Sequence, residues 1–229
     1  MTPDSWYLAL ETSTSAGTVA VARGAEIRGR MVLTERGRHA AHLVPAIADA
    51  LEQAEIRQDH LAGVILGAGP GSFTGVRVAA ATAKALVRVL DVPLWAFSSL
   101  AAGAVAEGDG SPFGVRYVLF DARGDRVYGA CYAVGVHGVE TLIPPHGDTL
   151  RDALAGDVPV GSVFVGDGAL EHREAIAAAG FSVGAPPLGF PTADSLVRLL
   201  ALHPDTPPVA DPGAWEPEYV RASNAERGV

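Results

Sequence analysis

The chain has 229 residues, enough to bury a substantial core in one large domain or two small ones. Apolar residues make up 48% and charged residues 19%, an ordinary globular composition, and the net charge of -9 argues against a protein that grips nucleic acid unaided. Cys131 is the only cysteine, which excludes an internal disulfide, and neither a basic, apolar leader nor an apolar run of membrane-spanning length is present, so a cytoplasmic protein with no membrane partner is expected.

Trp6 to Leu10 reads as an apolar strand ending on an acid, Glu11, and runs into a hydroxyl-rich turn, Thr12 to Ser15. Gly17 to Ala22 and Ile27 to Leu33 read as strands joined by a turn containing Gly24. The region from His39 to Ala54 carries Leu43, Ile47, Leu51 and Ala54 at helical spacing. Leu61 to Leu66 is a strand, followed by the glycine-rich stretch GAGPGSFTGVR (67–77), a helix to about Leu90, and a strand from Val92 to Phe97.

The second half then starts over. Tyr117 to Phe120 is a strand ending on an acid, Asp121, and Val127 to Val134 pairs back as a hairpin. After a Pro-rich connection come a short helix (Thr149 to Ala155), a strand (Val163 to Val165), a glycine turn (Gly166, Asp167, Gly168) and a helix to Ala179. The alternation favours an α/β fold. This repeated plan resembles the two-lobed actin, Hsp70 and sugar-kinase fold, with duplicated ribonuclease H-like halves and a shortened second half. The division expected is 1–98 and 99–229, with the tail from Pro204 partly ordered around Trp215 and Tyr219. In that fold the acid closing the first strand of each half faces the nucleotide phosphates, and Glu11 and Asp121 hold those places.

The glycine stretch fits no nucleotide motif. Gly75 is followed by Val76 and Arg77, not by the Lys-Ser/Thr of a Walker A loop. Gly67 and Gly69 match the first two glycines of a dinucleotide fingerprint, but Ser72 stands in place of the third, and Asp91 opens the next strand where a ribose-binding acid should close it. The glycines are therefore read as serving a tight turn and close packing, with Ser72 or Thr74 capping the helix. On that helix Arg77, Lys84 and Arg88 form one stripe, and Ala79, Ala83, Leu86 and Leu90 the opposite, core-facing one. Both flanks are apolar too: Val76, Ala80 and Val87 on one side, Val78, Ala85 and Val89 on the other. A surface helix needs one apolar face, so this helix is either sandwiched within its own domain or an association surface.

Several segments together resemble the TsaB (YeaZ) family: GAGPGSFTGVRVAAATAKAL, the opening LALETSTSAGTVAV, HAAHLVPAIADAL with its His39 and Pro45, the hairpin FDARGDRVYGACY, and PEYVR (217–221). The family's opening usually has aspartate at the place of Glu11. The resemblance implies a non-catalytic subunit with no cofactor of its own, which binds the related enzyme TsaD, works with a TsaE-like ATPase, self-associates as a homodimer when alone, and meets tRNA only through the complex. TsaD carries the metal and transfers the threonylcarbamoyl group. On this reading both helix flanks (Val76, Ala80, Val87, Val78, Ala85, Val89) are candidates for the partner interface, with His39 and Leu43.

Other chemistry is weighed against this. His39 and His42 are three apart and within reach of one metal ion, but the related enzymes use a four-residue spacing, position 43 is leucine, and Arg36 and Arg38 disfavour a cation, so no metal is expected. There is no His-Glu-x-x-His run, and Cys131 sits mid-strand, so no catalytic residue is assigned. Glu11, Thr12, Ser13, Asp121, Gly166, Asp167 and Gly168 are candidates for a degenerate nucleotide site, and equally for turn and capping residues. Their acids would need a metal to meet a triphosphate. The rival reading is an independent small ATPase or kinase of the same fold, which would want a catalytic acid and a full-sized second half.

Overall fold

Two five-stranded sheets form the frame of a computed structural model that describes residues 1–33, 39–108, 113–218 and 220, with His39 and Ala40 described by their backbone alone. The first contains β1 (Trp6–Glu11), β2 (Gly17–Arg23), β3 (Glu26–Leu33), β4 (Leu61–Gly67) and β5 (Leu94–Phe97), and helices α1 (His39–Gln53) and α2 (Phe73–Leu90) connect its strands. After α3 (Ser99–Ala104), the second sheet is built from β6 (Gly114–Asp121), β7 (Arg126–Gly135), β8 (Gly138–Thr149), β9 (Val163–Val165) and β10 (Ser182–Val183). Its helices are α4 (Leu150–Ala155), α5 (Asp167–Glu171) and α6 (Arg173–Ala178), and α7 (Ala193–Leu202) follows.

The strand orders are β3-β2-β1-β4-β5 and β8-β7-β6-β9-β10, so the third, second, first, fourth and fifth strands of each half lie in the same sequence across their sheets. In both halves the first three strands are antiparallel and the fourth runs parallel to the first. This is the duplicated ribonuclease H-like plan, and Glu11 and Asp121 close equivalent strands. The second copy is reduced: β9 has three residues, β10 has two, and the helix expected to run to Ala179 is broken at His172.

The Pro-rich connection expected after β7 is in fact strand β8. Its prolines, Pro144 and Pro145, fall on an outer strand, in a stretch where the pairing with β7 shifts register between Gly129 and Cys131. A proline removes a ladder donor, and an edge or bulge is where a sheet tolerates that.

The chain divides into two compact units. The first is Met1–Ser99 together with Thr192–Glu218, and the second includes Leu100–Pro191. The expected division is 1–98 and 99–229; here the first unit runs through Ser99, and the stretch after Pro191 returns to it. Alternation along the strands explains the return. Leu8, Leu10, Val19 and Val21 pack with α1 and α2 in one core, which leaves Ala9, Ala20 and Ala22 for the opposite face of the sheet. There α7 packs against β1, β2 and β4 with Leu196 and Leu200 buried. Ala193 N donates to Thr18 Oγ1 at 2.8 Å, and Arg30 pairs with Asp194. The second unit has its own core around Tyr117, Leu119, Phe164 and Ile176.

Candidate functional site

The glycine stretch leaves β4 and enters α2, and five of its backbone donors, those of Ala68, Gly69, Ser72, Gly75 and Val76, are committed within the protein. Ala68 N donates to Phe97 O (2.7 Å), Gly69 N to Ser99 Oγ (3.2 Å) and Ser72 N to Ser13 O (2.6 Å). Gly75 N donates to the capping Ser72 Oγ (3.3 Å), and Val76 N to Ser72 O (2.9 Å). A phosphate loop must present such N–H groups to its ligand. The glycines serve close approach instead: a Cβ on Gly71 would strike the Ser13 carbonyl, and one on Gly75 the Thr12 carbonyl. Thr12 Oγ1 also donates to Gly75 O (2.8 Å), so the stretch is packed onto the β1–β2 turn.

Glu11 lies beneath it and is wholly buried. Its Oε1 accepts from Ser13 N (2.7 Å) and its Oε2 from Ser99 Oγ (2.8 Å), and the carboxylate fills the space a Cβ on Gly67 would need. Burial raises its pKa; the hydrogen bonds from Ser13, Ser99 and Thr12 oppose that rise. Ser99 also donates its own N–H to Gly69 O (2.7 Å), so it fastens both the loop and the acid.

In the second unit the equivalent acid is engaged locally. The exposed Asp121 carboxylate accepts from Arg123 N (2.7 Å) in its own turn, while Asp167 accepts from Asp121 N (3.2 Å) and Gly168 N (2.9 Å). Burial raises the Asp167 pKa, those N–H donors oppose it, and the Asp121 charge adds to it. Gly166 and Gly168 allow the turn to pack onto Leu119 and Phe120. Glu11, Thr12 and Ser13 therefore form one cluster in the first unit, and Asp121, Gly166, Asp167 and Gly168 another in the second. Burial pushes the Cys131 thiol up, which disfavours the reactive thiolate. Among the described residues no three His, Cys, Asp or Glu side chains come together as a metal cluster; His42 is exposed, and the His39 side chain lies outside the described residues.

Helix α2 resolves the question of its flanks. Val76, Ala80 and Val87 are buried with Ala79 and Ala83 in the first unit's core, as is Leu43 of α1. These four expected interface residues therefore have no surface to offer, because α1 and α2 pack against each other and against the sheet. The other flank faces outward. Val78 is half-buried, Ala85 is exposed and Val89 is 79% exposed, with Phe73 and Val44 of α1 also open. The outward stripe Val78–Thr82–Ala85–Val89 follows helical spacing.

Comparison with known proteins gives this surface a context. The family model described as TsaD, tRNA N6-adenosine threonylcarbamoyltransferase, matches residues 33–183. The tRNA threonylcarbamoyladenosine biosynthesis protein TsaB of Bacillus subtilis is 30% identical over 174 residues, covering 74% of each chain. The chain belongs to the TsaB (YeaZ) family. An uncharacterized protein of Mycobacterium tuberculosis is 31% identical over 216 residues, 90% of this chain and 96% of that one. The solved structure of YeaZ from Pseudomonas aeruginosa superposes with a TM-score of 0.78 at 25% identity, covering 94% of this chain and 99% of that one.

Within this TsaB-family chain, two features escape a reading by motif. Ser99 carries no signal beyond its place at a strand–helix junction, yet it joins the glycine stretch to Glu11. The pairing of Glu11 with Gly67 could have been found from the parallel register of β1 and β4, which sets Leu10 beside Leu66.

Proposed function

We propose that the chain is a non-catalytic subunit in the synthesis of threonylcarbamoyladenosine in tRNA. It docks through the outward flank of α2 onto a TsaD-like enzyme, which needs it to transfer the threonylcarbamoyl group to the adenosine next to the anticodon. A TsaE-like ATPase joins the assembly, tRNA is met only through it, and the isolated chain pairs with itself through the same flank. No cofactor of its own enters this reading.

The observation that carries it is the apolar stripe Val78–Ala85–Val89, half-buried at Val78 and open at Ala85 and Val89, on a helix whose other flank is already buried. Apolar surface that a single chain leaves uncovered at helical spacing marks an interface. Further support comes from the first of the two acids a kinase or ATPase of this fold would turn to its nucleotide: Glu11 is enclosed, and its oxygens are taken by Ser13 and Ser99. The test is reconstitution of threonylcarbamoyl transfer to tRNA with the TsaD-like enzyme, the TsaE-like ATPase and a source of threonylcarbamoyl-AMP, with and without this chain. Transfer should require the chain, and the chain alone should neither transfer nor turn over ATP. Robust turnover by the isolated chain, abolished in Asp121→Asn, would reverse the assignment.

A further inference from the structure

We propose that residues 204–218 form a strap that holds the glycine stretch and α2 in their docking position, with Lys84 as its clip. This rests on the docking role given to α2 above. Beyond Leu202 the chain leaves α7 and crosses the first unit, touching it at separate points. Trp95 Nε1 donates to Thr206 O at 3.0 Å, and Val209 N donates at 2.8 Å to Leu94 O on β5, the outer strand of the sheet. Lys84 Nζ donates to Gly213 O at 3.2 Å and lies 3.7 Å from the Glu216 carboxylate. Glu218 N then donates to Ala68 O at 3.0 Å, inside the glycine stretch. Val209 and Trp215 pack on the core, and Pro217 is buried.

The spacing shows how the strap lies. From Phe73 to Lys84 a helix rises about 17 Å, and the six residues from Gly213 to Glu218, which leave a turn at 212–214, span at most about the same. The strap therefore passes α2 in the opposite direction, held at Lys84 past the middle of the helix and at Ala68 in the stretch before it. It does not lie flush. A groove of about 810 Å³, lined by Ala85, Val87, Arg88, Val92, Pro208 and Pro212 among others, separates it from the C-terminal half of α2. A segment held at points opens locally more readily than one packed along its length. Ala85 belongs both to this groove and to the outward stripe, so the strap borders the docking surface.

The test compares hydrogen exchange and affinity for the TsaD-like subunit in the wild type, Lys84→Met and Trp95→Phe. Lys84→Met keeps the apolar stem and removes the donor, and Trp95→Phe keeps a ring and loses the bond to Thr206. Both variants should exchange faster across 204–218 and 67–72, with β1 and β4 unchanged, and should bind the subunit about fivefold or more weakly. Faster strap exchange with unaltered affinity overturns the proposal, as does strap exchange that stays slow in both variants. A wild type that binds no such subunit overturns the docking role itself. The strap's hold is then judged on exchange alone, and a glycine stretch that stays slow beside a loosened strap refutes it.

Discussion

Glu11 brings a carboxylate into an interior where its partners are a backbone N–H and a hydroxyl. Burial raises its pKa in the folded chain, so the folded state holds the proton more tightly than the unfolded one. The stability it contributes is full below the unfolded value and falls as pH rises through the folded value. Glu11→Gln should abolish that fall. Urea midpoints measured from acid to neutral pH should show the wild type losing ground to Glu11→Gln as pH rises; a gap that stays constant would contradict this. Glu11→Ala should cost about 1–3 kcal/mol at acid pH, because the Ser13 N–H and the Ser99 hydroxyl lose their acceptor, and less as pH rises through the folded value. Gly75→Ala forces a Cβ against the Thr12 carbonyl, which is backbone and cannot swing aside, and should cost about 1–3 kcal/mol in the same urea assay.

At the scale of elements, α2 is where sequence and structure meet most directly. Its pattern showed two apolar flanks and a core stripe, and only packing could tell the flanks apart, since a helical repeat records spacing and not neighbours. With Ala80 5% exposed and Ala85 open, the two substitutions separate. Ala80→Glu buries an unpaired charge and should largely unfold the chain, a loss of several kcal/mol. Ala85→Glu should keep the wild-type circular dichroism and melting temperature while light scattering shows self-association lost. An Ala80→Glu protein as stable as the wild type would contradict the burial assigned to that flank. Strand β8 was illegible for a different reason: Pro144 and Pro145 argue against a strand, and only the edge position and shifted register make them tolerable.

For the whole molecule, the duplication was legible because each half repeats a strand ending in an acid, a hairpin, and a later strand that runs into a glycine turn. The return of Thr192–Glu218 to the first unit was not, because the apolar pattern of α7 shows that it must be covered and not by which sheet. The candidate site divided likewise. The glycine stretch and the acids were visible as residues, while the hydrogen bonds that commit them internally depend on Ser13, Ser99 and Glu218 arriving from distant parts of the chain. The proposed docking of this TsaB-family chain on a TsaD-like enzyme through the outward flank of α2 carries the rest. Sedimentation velocity of the chain mixed with the TsaD-like subunit of the same organism tests it most directly. Docking through that flank predicts one faster-sedimenting complex with the wild-type chain and two separate species with Ala85→Glu; a complex that survives intact in Ala85→Glu, or none with the wild type, would contradict it.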